Sequence, residues 1–136
     1  MVRKRFSDAQ NNIEHLDYKI NSQLGNLEDM KSFLLSKRFF FLGLLQNPNL
    51  LEHESFTELL WAVFHLTEEL SYRPQTTHLP DADYDHLSND IKRAYVKLIS
   101  EWLRYMRHLQ IQYPYLFSLA VRTNPFDPEA SVIIQH

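Results

Sequence analysis

LSNDIKRAYVKLISEWLRYMRHL, residues 87–109, places apolar side chains at Leu87, Ile91, Ala94, Leu98, Trp102, Tyr105 and Leu109. Steps of three and four bring these positions onto one face of an α-helix. Lys92, Arg93, Lys97, Arg104 and Arg107 fall mostly off that face, and Pro114 ends or kinks the run. Upstream, Phe56, Leu59, Leu60, Val63, Phe64, Leu66 and Leu70 cover more than one stripe, the pattern of the central, most buried helix of a bundle. Trp61 and Trp102 each sit in such a stretch and are expected to face the interior. The chain has two glycines, Gly25 and Gly43, too few for the turns of a β fold or for a phosphate-cradling loop. The expected class is all-α.

The N-terminal part has a heptad seam. Phe6, Ile13, Ile20, Leu27 and Leu34 occupy its a positions, and Ala9, Leu16, Gln23, Met30 and Lys37 its d positions. This predicts a long coiled-coil helix over residues 1–36, continuous to about Leu45; an amphipathic helix packed on its own domain is the alternative. The oligomer interface would be Ile13, Leu16, Ile20, Gln23, Leu27, Met30 and Leu34, with dimer and tetramer both compatible. Phe39 to Leu45 is apolar all round, so the helix is expected to enter a small helical bundle spanning 37–129, with 130–136 as a tail. Asn47-Pro48-Asn49 signals a helix start, as does Ser55-x-x-Glu58 with its capping-box spacing. Pro74 to Pro80 reads as a loop closing at an Asp81 or Asp83 cap.

The 44% hydrophobic and 23% charged fractions favour neither disorder nor a membrane span. No apolar run approaches the ~18 residues a spanning helix needs, and the polar stretch after the first charges is unlike a signal peptide. A net charge of −3 supplies no field for nucleic acid, Arg3, Lys4 and Arg5 notwithstanding. Without cysteine there is no disulfide, thiolate nucleophile or thiolate metal site, and a reducing, cytoplasmic setting is consistent.

Glu54, Glu58, His65 and Glu69 could share part of one helix face, so Glu58, His65 and Glu69 form the candidate metal or enzyme set. The di-metal template of Glu-x-x-His on two helices is incomplete, Asp83-x-x-His86 being its nearest match. The expectation is therefore a polar edge with no bound metal or cofactor and no enzyme. Arg73-x-x-x-x-His78 has the spacing of the Arg/His motif of helical RNA-cleaving domains, but it straddles Pro74 in a loop. Trp61, Phe64, Trp102, Tyr105, Tyr113, Tyr115 and Phe117 read as core, and the basic residues, with Lys37 and Arg38, as a solvated face.

Three strings, SKRFFFLGLL (36–45), LEHESFTELLWAVFHL (51–66) and YPYLFSLA (113–120) with RTNPF (122–126), resemble the soluble region of archaeal and bacterial potassium-channel-family proteins that follows a two-helix pore module. The resemblance covers roughly residues 27–129 and implies a regulatory cytosolic module, located at the inner face of the cell membrane and partnered by a membrane-embedded pore. Pore helices and a Thr-Val-Gly-Tyr-Gly-like filter are missing, so the chain itself would not conduct ions. The seam predicts a homo-oligomer that becomes a folded monomer when residues 1–34 are removed, or when Ile13 and Ile20 are changed to lysine. Light scattering coupled to size exclusion on both forms checks it.

Overall fold

Asn26 accepts a hydrogen bond from the Asp29 amide at 3.0 Å, and this cap starts the first helix among the described residues of the computed structural model, 20–51 and 53–134. Helix α1 is Leu27–Ser36, with Glu28 and Asp29 placed favourably at its positive end. Lys37 interrupts the chain before α2, Arg38–Leu45, and Pro48 opens the short α3, Pro48–Leu51. The long hairpin follows: α4, Glu54–Ser71, and α5, Asp81–Gln112. Pro114 then takes the first turn of α6, Pro114–Arg122, where its missing N–H costs nothing. All six elements are helical, and there is no strand among the described residues.

The chain forms two compact units. The first lies within His15–Ile99 and the second takes in Ser100–His136. In the first, Leu27 and Leu34 of α1 meet Ala62, Leu66 and Leu70 of α4 and Leu87 and Ala94 of α5. Leu70 and Leu87 are fully buried, and burying each leucine is worth roughly 1.5–3 kcal/mol. Thr67, equally buried, donates its hydroxyl to the Val63 carbonyl at 2.8 Å, so the only polar atom it brings inside is satisfied. In the second unit Met106 and Leu109 are buried, Trp102 meets Phe126 edge to face at 5.4 Å, and Arg122 donates to the Val132 carbonyl.

Several expectations are corrected here. The long helix does not run unbroken to Leu45: residues 20–26 are non-helical, Gln23 lies in a turn, and Lys37 separates α1 from α2. Ile13 and Leu16 fall outside the described residues. Leu27 and Leu34 are spent inside their own chain, with Met30 packed beside them, so this half of the seam is the amphipathic-helix alternative and not an exposed interface. The proposed boundary after residue 36 cuts through the first unit, because α1 contributes to its core. Asn47-Pro48 starts α3, whereas Ser55 lies one residue inside α4 and His53 takes the cap position.

Trp61 also departs from expectation. It is 56% exposed, stacked edge to face on Phe64 at 6.1 Å, because α4 turns Leu59, Leu60, Ala62, Leu66 and Leu70 inward. Tyr105, Tyr113 and Tyr115 are exposed as well. Leu70→Ala and Leu87→Ala should each cost about 2–5 kcal/mol, and Trp61→Ala within about 1 kcal/mol, in urea unfolding. Removing residues 1–34 takes Leu27 and Leu34 out of the core, so that truncation is expected to melt well below the intact chain instead of leaving a sound monomer.

Candidate metal centre

Four residues of the first unit converge on one point from two helices. His65 and Glu69 are four apart on α4, and His86 and Asp90 four apart on α5, so each pair shares a helix face. The helices run antiparallel: Glu58 reaches Lys97, His65 faces Asp90, Glu69 faces His86 and Arg73 reaches Asp83. Each imidazole therefore meets the carboxylate of its own helix and that of its neighbour.

The His65 Nε2 atom is 3.6 Å from Glu69 Oε1 and 3.4 Å from Asp90 Oδ2, while His86 Nε2 is 3.3 Å from Glu69 Oε1 and 3.4 Å from Asp90 Oδ2. One ligand atom from each residue lies within 4.8 Å of every other. These gaps are longer than an ordinary N–H···O bond of ~2.9 Å. They are close to the ~3.3 Å edge of a tetrahedron whose centre binds nitrogen and oxygen at ~2.0–2.1 Å. Four of the six edges are thus near the length that a shared ion would need, and the other two lie within 4.8 Å.

Burial supplies a second, independent sign. Asp90 is 3% exposed, and its Oδ2 atom, aimed at both histidines, is fully buried without a hydrogen-bond partner among the described residues. A buried carboxylate oxygen in that state is costly unless a cation meets it. The other oxygen of each carboxylate is held by an arginine of the same chain segment. Arg93 Nη1 lies 3.0 Å from Asp90 Oδ1, and Arg73 Nη1 lies 2.9 Å from Glu69 Oε2. Each carboxylate thus has one oxygen fixed and one left toward the centre. Both imidazoles are half exposed, so the point they surround opens to solvent.

The Glu69 carboxyl is held below the usual carboxylate range, chiefly by the hydrogen bond from Arg73 and further by His86, against burial that pushes it up. Asp83 is lowered by the same guanidinium. Arg73 is in turn raised above its ordinary value, first by the hydrogen bonds to Asp83 and then by Glu69, with burial opposing. Both carboxylates stay ionised at neutral pH.

The sequence reading placed His65 and Glu69 correctly together but not Glu58, which is exposed and pairs with Lys97 at 3.3 Å, nor Glu54, which merely opens α4. It named His86 only with Asp83, not with His65 and Glu69, and it missed Asp90. The signal was there as a repeated His-x-x-x-acid pair, hidden because the search template was acid-x-x-His. The Arg73 and His78 pair is not assembled as a phosphate and proton site: Arg73 is engaged by Glu69 and Asp83, and His78 sits exposed in the loop at φ 61°. The basic face is largely neutralised, with Arg38 on Glu68, Arg93 on Asp90, Lys97 on Glu58 and Arg104 on Glu101.

A family model described as "Uncharacterized protein MJ1433, C-terminal helical domain" matches residues 1–122. The chain is also 46% identical over 130 residues to "Uncharacterized protein MJ1433" of Methanocaldococcus jannaschii, covering 96% of this chain and 53% of that protein. The chain thus spans about half the length of that relative. Neither description names a potassium channel. No solved structure matches, and no described helix is long and apolar enough to cross a membrane.

Because Glu69 and Asp83 have lowered values when folded, they stabilise the fold above their unfolded range and lose that contribution as pH falls through it toward the folded values. Thermal melts between neutral pH and about pH 3 should show a fall in midpoint below about pH 4.5. Asp83→Asn should flatten part of that fall.

Proposed function

This chain belongs to the MJ1433 C-terminal helical domain family, and we propose that it is a non-catalytic, metal-binding helical module that holds one divalent transition-metal ion of the zinc class between α4 and α5. The ligands are His65 Nε2, Glu69 Oε1, His86 Nε2 and Asp90 Oδ2. The observation that carries the reading is the coincidence of four imidazole-to-carboxylate gaps of 3.3–3.6 Å with a buried, unpartnered Asp90 oxygen. Two imidazoles select against magnesium and calcium, which take oxygen ligands, and favour zinc and its neighbours. The two carboxylates balance the ion's two positive charges.

Four protein groups would fill a tetrahedral shell, which suits a structural or metal-responsive site more than a hydrolytic one with three protein ligands and a bound water. The ion pins two helices that otherwise meet through apolar packing, so occupancy is read out as rigidity of the hairpin. This reading replaces the expectation of no metal, which rested on the lack of cysteine and of a complete Glu-x-x-His pair on two helices.

Titration of metal-stripped protein with Zn²⁺ by calorimetry should give one site per chain. His65→Ala and His86→Ala, each removing a ligand on a half-exposed position that tolerates alanine, should weaken binding by roughly 100-fold or more. Affinity should fall in acid, because the ligand atoms bind the ion only in their deprotonated forms and proton and metal compete for them. Absence of saturable binding, or binding indifferent to both substitutions, would refute the site.

A further inference from the structure

The first residue beyond the α4 cap, Arg73, touches both the proposed metal site and the loop that closes the hairpin. Its Nη1 atom donates to the Oε2 atom and to the backbone carbonyl of Glu69, at 2.9 and 2.5 Å. Its Nε and Nη2 atoms fork onto Asp83 at 2.7 and 2.5 Å, across the loop and onto α5. A bidentate pair of this kind fixes the guanidinium plane. The Glu69 side chain is consequently held with Oε1 toward the two histidines by a residue that is itself held from the other side of the loop.

That loop is anchored elsewhere too. Lys31 of α1 donates to the Arg73 carbonyl at 2.6 Å. The Thr76 amide and hydroxyl both donate to Glu28 Oε1 at 2.7 Å, which holds the Glu28 carboxyl below its ordinary range. Tyr84 donates its hydroxyl to the Thr76 carbonyl at 3.0 Å and accepts from the Leu79 amide at 3.4 Å. Thr76 is 3% exposed as a result. Arg73 hydrogen-bonds a proposed ligand side chain, Glu69, and joins this network through its own carbonyl and through Asp83.

Resting on the metal reading above, we propose that Arg73 is a positioning residue that couples ion occupancy to closure of the 72–80 loop on α1. Binding at Glu69 Oε1 removes the freedom of the Glu69 side chain to swing away, which keeps Oε2 under Arg73. Arg73 in place keeps Asp83, and with it the start of α5, against the end of α4. The coupling is reciprocal: whatever opens the loop weakens the ion, by the same factor that the ion steadies the loop.

The test uses the full chain with Zn²⁺ and Co²⁺ as probes. Hydrogen exchange at the Thr76 and Leu79 amides should slow by roughly fivefold or more when Zn²⁺ is added to the parent protein. Arg73→Gln should weaken Zn²⁺ by about 10- to 100-fold, abolish the added protection, and dim the visible bands that mark tetrahedral Co²⁺. Asp83→Asn leaves the Arg73 and Glu69 contact in place but frees the far side of the fork. It should lose much of the added protection while retaining the Co²⁺ bands, and it decides the matter if Arg73→Gln fails to fold. If the parent binds Zn²⁺ with no change in loop exchange, or both variants bind and protect like the parent, the coupling is wrong and the metal site stands. If the parent binds neither ion, the metal reading itself falls.

Discussion

Leu66 and Leu70 of α4 against Leu87 and Ala94 of α5 set the register of the hairpin, and every polar contact across it depends on that register. A slip of one helical turn, ~5.4 Å, would carry each imidazole past the carboxylate of the other helix and take His65 away from the buried Asp90. Apolar packing alone tolerates such slips better than charges do, since one leucine fits another's place. The ladder of Glu58 with Lys97, the four-residue cluster, and Arg73 with Asp83 occurs at matched intervals along the two helices and penalises the alternatives. The hydrophobic contacts supply cohesion, and the polar ladder supplies uniqueness.

Charge is distributed with the same economy. Two carboxylates brought to one point would be an awkward concentration of negative charge in a half-buried place. The arginines at positions 73 and 93 take up one oxygen apiece and leave a remainder suited to a divalent cation. Asp90 and Glu69 differ in one respect that follows from depth. Asp90 is almost wholly enclosed, whereas Glu69 sits near the hairpin's end, where the loop can reach it.

Helix class was legible because the three-and-four spacing persists from Leu87 to Leu109 and Pro114 breaks it where the helix ends. The seam of the N-terminal segment was legible as a pattern but not as a partner choice. Leu27 and Leu34 read equally well as facing a second copy or a domain, and only the position of α4 decides between them. Trp61 misled because side-chain size and burial correlate only on average; α4 has six buried positions, and Trp61 lies between two of them on the wrong side of the turn. The metal candidates were half legible. His65 and Glu69 are neighbours in sequence terms, but His86 and Asp90 enter only once the hairpin register is known, and no spacing on a single helix encodes that.

The half exposure of both imidazoles carries a kinetic meaning. A zinc ion in a finger-type site is enclosed by the fold that it nucleates, so its release waits on unfolding. An ion resting between His65 and His86 would face water on one side, and an incoming ligand could attack it before any protein bond breaks. Exchange by that associative route needs no opening of the leucine core. The residence time would then be set by the chelators in the surroundings and not by the lifetime of the folded state, and the hairpin would report the present concentration of its ion instead of the concentration at the moment of synthesis.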